Sequence, residues 1–99
     1  MKVRYTRTAF LNISKIVAYV GSQSPKAARD VGLRIFMAAD MLGTFPKLGH
    51  KGLAARTREW VVPGLPYIIV HVVFPKEDEI IILAIRHGAE NRGEATYDP

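Results

Sequence analysis

No cysteine occurs among the 99 residues, which excludes disulfides and thiolate metal sites and permits, without proving, a reducing cytoplasm. No apolar run approaches the roughly 20 residues of a membrane-spanning helix, and the N-terminus lacks the basic-then-apolar pattern of a secretory leader. The expectation is a soluble, cytoplasmic protein with no membrane partner. Its three histidines have neither HxxxH nor HxH spacing, so no metal site and no cofactor are expected. GxSxG and the GxxxxGK phosphate loop are likewise missing, which removes the serine nucleophile elbow and the nucleotide cradle. Acidic residues are scarce in the first half: residues 1–58 carry Asp30 and Asp40 against eleven Lys and Arg, a balance of +9, while residues 59–99 stand at −4. A basic excess suits a phosphate backbone or an acidic protein partner, and it is also what a solvated basic surface looks like.

What the chain does have is one domain's worth of residues, 1–99, with residues 91–99 expected to be irregular because they hold little apolar material. The stretch from Thr57 to Gly88 organises the rest. Three short segments rich in β-branched and aromatic residues, Arg56 to Val62, Tyr67 to Phe74 and Glu79 to His87, read as strands. Pro63-Gly64-Leu65-Pro66 and Pro75-Lys76-Glu77-Asp78 separate them with turn chemistry suited to antiparallel hairpins. The central segment, YIIVHVVF, is apolar on both faces, so both sides need covering.

Upstream, Lys2 to Thr6 alternates, with Val3 and Tyr5 on one face, as a half-buried strand does. Thr8 stands where an N-cap would, before Phe10, Ile13, Val17 and Val20, which predicts a helix over about Ala9 to Val20. Ser24 and Pro25 open a second helix carrying Ala28, Val31, Ile35, Ala38 and Leu42 on one stripe and ending near Gly43. So short a joint makes the two a hairpin. Phe45 to Ala55 is too long for a simple connection, so it is either mobile or part of a binding surface. The order βααβββ gives an α+β fold, an N-terminal helical hairpin packed on a mostly antiparallel four-stranded sheet. The pairing position of the first strand stays open: an edge of the meander, or parallel to its middle.

Several residues invite chemistry. Strict alternation places Arg56, Arg58 and Trp60 on one face of their strand. In the last strand it places Ile80, Ile82, Ala84 and Arg86 together and Ile81, Leu83, Ile85 and His87 opposite, so Arg86 and His87 can cooperate only through a bulge or twist. His87 has the pKa range of a general acid or base, though residue type alone favours a surface or capping role. His71, inside YIIVHVVF, reads as a packed or partner-covered histidine. Lys47, His50 and Lys51 form a basic loop that is solvated or meets a partner. Arg58 and Arg86 each suit bidentate contacts with phosphate or carboxylate, or pairing with Glu59, Glu90 or Glu94. Trp60 suits base stacking or the core, and Tyr97 sits in the polar tail.

The basic first strand, the helical hairpin, TREWVVPGLPYIIVHVV and EIIILAIRHGA together resemble the RelE/ParE superfamily of toxins from type II toxin–antitoxin modules, over residues 1 to about 90. The resemblance implies a bacterial growth inhibitor neutralised by a co-encoded antitoxin, whose acidic segment covers the toxin's sheet and helices. RelE-like members are ribosome-dependent mRNA endonucleases using basic residues, often with a C-terminal tyrosine; ParE-like members poison DNA gyrase. Here Ile68 stands where RelE-type enzymes commonly carry arginine, Glu59-Trp60-Val61 replaces paired lysines, and Glu90 follows HGA where many relatives have arginine. Arg58, Arg86, His87 and Tyr97 remain as the catalytic set of a RelE-like enzyme. Lys47, His50, Lys51, Arg56, Arg58, Trp60 and His71 are the nucleic-acid or partner contacts. The resemblance leans to a ParE-like gyrase inhibitor, with a RelE-like endoribonuclease and a non-toxic, antitoxin-binding remnant as alternatives.

Overall fold

Thr6 is where the chain turns from strand to helix, and it does so with one hydroxyl in two roles. The side-chain oxygen accepts from the Ala9 amide at 3.1 Å and donates to the Leu83 carbonyl at 2.7 Å. The first bond is an N-cap; the second ties the helix start to the far end of the chain. In this computed structural model, residues 1–89 are described. They form β1 (Lys2–Tyr5), α1 (Arg7–Gly21), α2 (Pro25–Thr44), β2 (His50–Lys51), β3 (Arg58–Val61), β4 (Tyr67–Phe74) and β5 (Glu79–His87). The cap is therefore Thr6 and not Thr8, and α1 starts two residues before Ala9. A buried threonine held from both sides outcompetes an exposed one. The core stripe of α1 shifts with it: Ala9 and Ile13 are buried, whereas Phe10 is half exposed and stacks on Tyr5.

The second helix behaves as its sequence predicts. Ser24 accepts from the Ala27 amide, Pro25 opens the helix, and Ala28, Val31, Ile35, Ala38 and Leu42 are all buried. With α1 they cover one face of a sheet ordered β1-β5-β4-β3-β2. The main core joins Ile13, Ile35 and Leu42 of the helices to Ile69, Ile80, Ile82 and Ile85 of the sheet. Each such side chain contributes roughly 1.5–3 kcal/mol by leaving water. The first strand pairs parallel with β5, an edge of the meander and not its middle. All other pairings are antiparallel.

The sheet has five strands and not four. His50 and Lys51 pair with Glu59 and Arg58 as a short edge strand, so the segment after α2 is partly built into the sheet. Gly49, at φ +85, lets the chain run so close to Glu59 that a Cβ there would lie 2.1 Å from that residue's carbonyl oxygen. The third strand also starts later than predicted. Arg56 has φ +67, a left-handed conformation that ends extended pairing, and regular structure begins at Arg58.

A bulge corrects the predicted faces of β5. Val70 pairs with Ala84 and His71 with Ile82, leaving Leu83 as the extra residue. Ile80, Ile82 and Ile85 consequently face the helices, while Ile81, Leu83 and Ala84 share the opposite face with Val70 and Val72. Groups freed from the ladder find partners on α1 and its cap: Leu83 O accepts from Thr6, and the Ile85 amide donates to Asn12 Oδ1 at 3.0 Å. The extra residue is thus satisfied, as a buried backbone requires.

Candidate functional site: two arginines on opposite faces of one sheet

Arg58 and Arg86 enter the sheet on β3 and β5, the two strands that flank β4 in the meander, yet they leave it on different sides. Trp60 and its cross-strand partner Ile69 pack toward the helices. Arg58, two residues before Trp60, shares that side and pairs with His71. Its Nη2 donates to the carbonyls of Lys47 at 2.7 Å and Gly49 at 3.1 Å. His71 is fully buried, with Nε2 3.4 Å from the carbonyl oxygen of Pro46. Three carbonyls of the loop after α2, those of Pro46, Lys47 and Gly49, therefore hang from two side chains of the sheet.

Burial holds the His71 imidazole below its ordinary pKa; the nearby Arg58 charge works in the same direction, and the contact with Pro46 opposes both. A neutral imidazole there packs as an apolar ring, and its Nδ1 has no partner among the described residues. The resemblance-derived partner contacts split accordingly. Lys47, His50 and Lys51 are exposed, Trp60 packs against the core, and His71 is sealed beneath the loop.

On the other side of the sheet Arg86 Nη2 donates to Glu59 Oε1 at 2.6 Å, with both side chains at most 5% exposed. Gly52 allows the β2–β3 loop to close over this pair: a Cβ there would stand 2.2 Å from Thr57 Oγ1 and 3.1 Å from Glu59 Oε2. Neither Nε nor Nη1 of Arg86 has a partner among the described residues. A guanidinium so deeply placed requires its carboxylate, because an isolated charge cannot stay there.

His87 ends β5 on the helix side, edge-on to Tyr67 with ring centroids 5.7 Å apart, and its Nδ1 accepts from the Ala89 amide. It is exposed and lies opposite Arg86. The bulge at Leu83 precedes both residues, so it changes the side each takes without bringing them together. Tyr97 lies outside the described residues. Among the described residues no three of His, Asp and Glu gather as metal ligands, and no helix is long and apolar enough to cross a membrane.

One feature escaped the sequence reading. Beside the core stripe of α2 runs a second one, Leu33, Met37 and Met41, continued by Phe45 at the helix end, each 44–60% exposed. Met37 and Met41, with Arg34, Val62 and Pro63, line an open hollow of about 240 Å³. The four-residue spacing was visible in the sequence, but the neighbouring buried stripe already accounted for the helix.

The profile of the ParE toxin of type II toxin–antitoxin systems matches residues 3–92. The chain belongs to this family of toxins. It is 35% identical over 88 residues to toxin RelE2 of Caulobacter vibrioides, covering 89% of this chain and 96% of that one. It is 34% identical over 86 residues to the putative toxin Y4kP of Sinorhizobium fredii, covering 87% and 86%. In shape the toxin matches a chain of the chromosomal ParDE system from P. aeruginosa, with a TM-score of 0.76 at 22% identity over 88% of this chain and 95% of that one. It also matches a chain of the RelBE2 toxin–antitoxin complex from Mycobacterium tuberculosis, with a TM-score of 0.62 at 20% identity over 90% and 92%. This is a RelE/ParE superfamily toxin whose relatives carry both names.

Proposed function

We propose that this toxin acts by binding a protein target, as a ParE-like inhibitor of DNA gyrase, and not by cutting RNA. The observation that carries the reading is the engagement of both arginines on opposite faces of the sheet. Phosphoryl-transfer catalysis places cations around one phosphate as charge develops on it. Arg58 instead holds two loop carbonyls on the helix side, Arg86 holds a buried carboxylate on the other, and His87 lies across the sheet from Arg86. A RelE-like endonuclease is the second reading, supported by the name of the Caulobacter relative. The arginine that such enzymes place at the start of the middle strand is Ile68 here.

The same reading assigns the toxin an antitoxin, as in the ParDE and RelBE2 assemblies of its structural relatives. The exposed stripe of α2, with Arg34 and Lys47 at its margins, fits the apolar face of an acidic amphipathic helix. The test is to express the toxin without antitoxin and assay trapped gyrase–DNA cleavage complexes and mRNA 5′ ends in the same cells. Trapped gyrase with intact message is the expected result. Codon-positioned cuts with quiet gyrase would replace this reading with the endonuclease, and unimpeded growth with neither signal would replace it with an antitoxin-binding remnant.

A further inference from the structure

The segment that joins α2 to β3 is closed over the helix side of the sheet by few polar contacts. Pro46 O, Lys47 O and Gly49 O meet His71 and Arg58, and His50 and Lys51 add the two-residue ladder to β3. Beneath it lie the fully buried His71 ring and Trp60, the chain's one tryptophan. Gly49 passes so near that a Cβ on it would stand 2.9 Å from Trp60 Cβ. Arg58 is tied through Nη2 alone, since its buried Nε has no partner among the described residues.

His71 is the one buried member of this closure that can change charge near neutral pH. Its Nε2 faces the Pro46 carbonyl, which keeps the ring proton there, and Nδ1 makes no hydrogen bond among the described residues. A second proton would therefore sit on a buried nitrogen without a bonded acceptor. The charged groups beside the ring are of one sign: Arg58 directly across on β3, and Lys47 and Lys51 in the covering segment. The acids of the neighbouring elements are engaged elsewhere. Glu59 pairs with Arg86 on the other face, Asp30 of α2 pairs with Arg34, and Asp40 is exposed and acts on Tyr5 of β1. On β5 the residue opposite His71 is Ile82.

We propose that residues 46–51 form an acid-released flap: a proton taken up at His71 drives the segment off the sheet, uncovers Trp60 and frees the Arg58 guanidinium from its two carbonyls. In the closed flap the ring resists protonation, because burial, with Arg58 adding to it, outweighs the opposing Pro46 and Ile69 carbonyls. In the open flap it regains its ordinary pKa of 6.5. Below that value the open form gains by up to about tenfold per pH unit, for one proton, until the closed form also titrates. Arg58 and Trp60 share a face of β3, so acid turns a closed edge of the sheet into a cationic, aromatic surface.

The experiment measures amide protection factors, which remove the intrinsic pH dependence of exchange, on the purified chain from about pH 7.5 to 5.5. His50 and Gly52 report the flap, and Val70 and Val72 of β4 are the reference. Flap protection is expected to lie at least about tenfold below the reference and to fall about three- to tenfold over this range, ten being the most that one group can supply. In His71→Gln, which cannot take up the proton, flap protection is expected to stay constant. His50→Gln, which removes the exposed histidine of the flap itself, is expected to keep the wild-type fall. A pH-independent wild type, an unchanged fall in His71→Gln, a fall lost in His50→Gln, or flap amides protected as strongly as β4 would each overturn the proposal. If His71→Gln does not fold, the wild-type His71 ring resonance decides in its place: titration below 6.5 upholds the flap, and titration at or above 6.5 overturns it.

Discussion

The Arg86 guanidinium donates to the Glu59 carboxylate at 2.6 Å in a site where neither side chain keeps more than 5% of its surface. This contact spans β5 and β3 across the intervening β4, so it fastens the meander from above. Removing one partner leaves a buried charge alone. Glu59→Ala or Arg86→Ala is expected to lower unfolding free energy by about 3–5 kcal/mol, whereas replacing both by Met is expected to restore most of it. Denaturant unfolding of the four proteins measures this. The double variant also separates structure from catalysis, because a folded Glu59→Met/Arg86→Met toxin retains toxicity if the pair is structural and loses it if Arg86 serves RNA cleavage.

Arg58 supplies the corresponding fastening on the helix side. Its two bonds, to Lys47 O and Gly49 O, are the charge-assisted kind and close the loop between α2 and β2 against the sheet. Arg58→Ala is expected to cost about 1.5–3 kcal/mol. Amide exchange of residues 47–51 is expected to accelerate more than that of β4. Arg58→Lys should recover little, since the shorter lysine side chain does not carry its ammonium to the position of Nη2, the one nitrogen that makes both bonds.

Much of this architecture was legible in the residues, and what was not has identifiable causes. The stripe Ala28, Val31, Ile35, Ala38 and Leu42 and the two Pro-bounded turns carry their structure locally, through period and turn chemistry. The faces of β5 did not follow, because the Leu83 bulge is decided by Thr6 and Asn12, more than 70 positions away. The short strand β2 is similarly a tertiary product: His50 and Lys51 have little strand character, and Arg58 and Gly49 bring them to β3. For the site, residue types named Arg58, Arg86 and His87 without their relation. Whether two arginines share a phosphate depends on which face each takes, and alternation fixes that only within a strand, not between strands.

His71 gives the fold a pH dependence with a definite sign. Its pKa lies below 6.5 in the folded chain because burial disfavours the imidazolium, whereas an unfolded chain restores the ordinary value. Above 6.5 both states are neutral and His71 contributes no slope. As pH falls through that value, the unfolded state takes up a proton that the native state refuses, so stability is lost with acidification until the native pKa is reached. Unfolding midpoints of the wild type and His71→Gln across roughly pH 5–7 test this: the variant is expected to lose the part of the acid-side slope that His71 supplies. Parallel curves for the two proteins would remove His71 from the account.

Met37 offers the sharpest separation between folding and partner recognition. It sits on the outer stripe of α2, 57% exposed, at the hollow lined by Arg34, Met41, Val62 and Pro63. Because its side chain is largely in water, Met37→Asp is expected to change stability by no more than about 0.5 kcal/mol. If an acidic amphipathic helix covers this stripe, the new carboxylate loses apolar contact and also meets like charge. Affinity for the antitoxin should then fall by more than about tenfold. Co-expression is the direct readout, since a toxin that is still folded and still toxic would no longer be rescued by its antitoxin. Met37→Leu keeps the apolar contact and is expected to remain rescued, and Met37→Asn, which loses that contact without adding a charge, tells loss of packing from like-charge repulsion. Full rescue of Met37→Asp at equal antitoxin levels would move the antitoxin off this face of the hairpin.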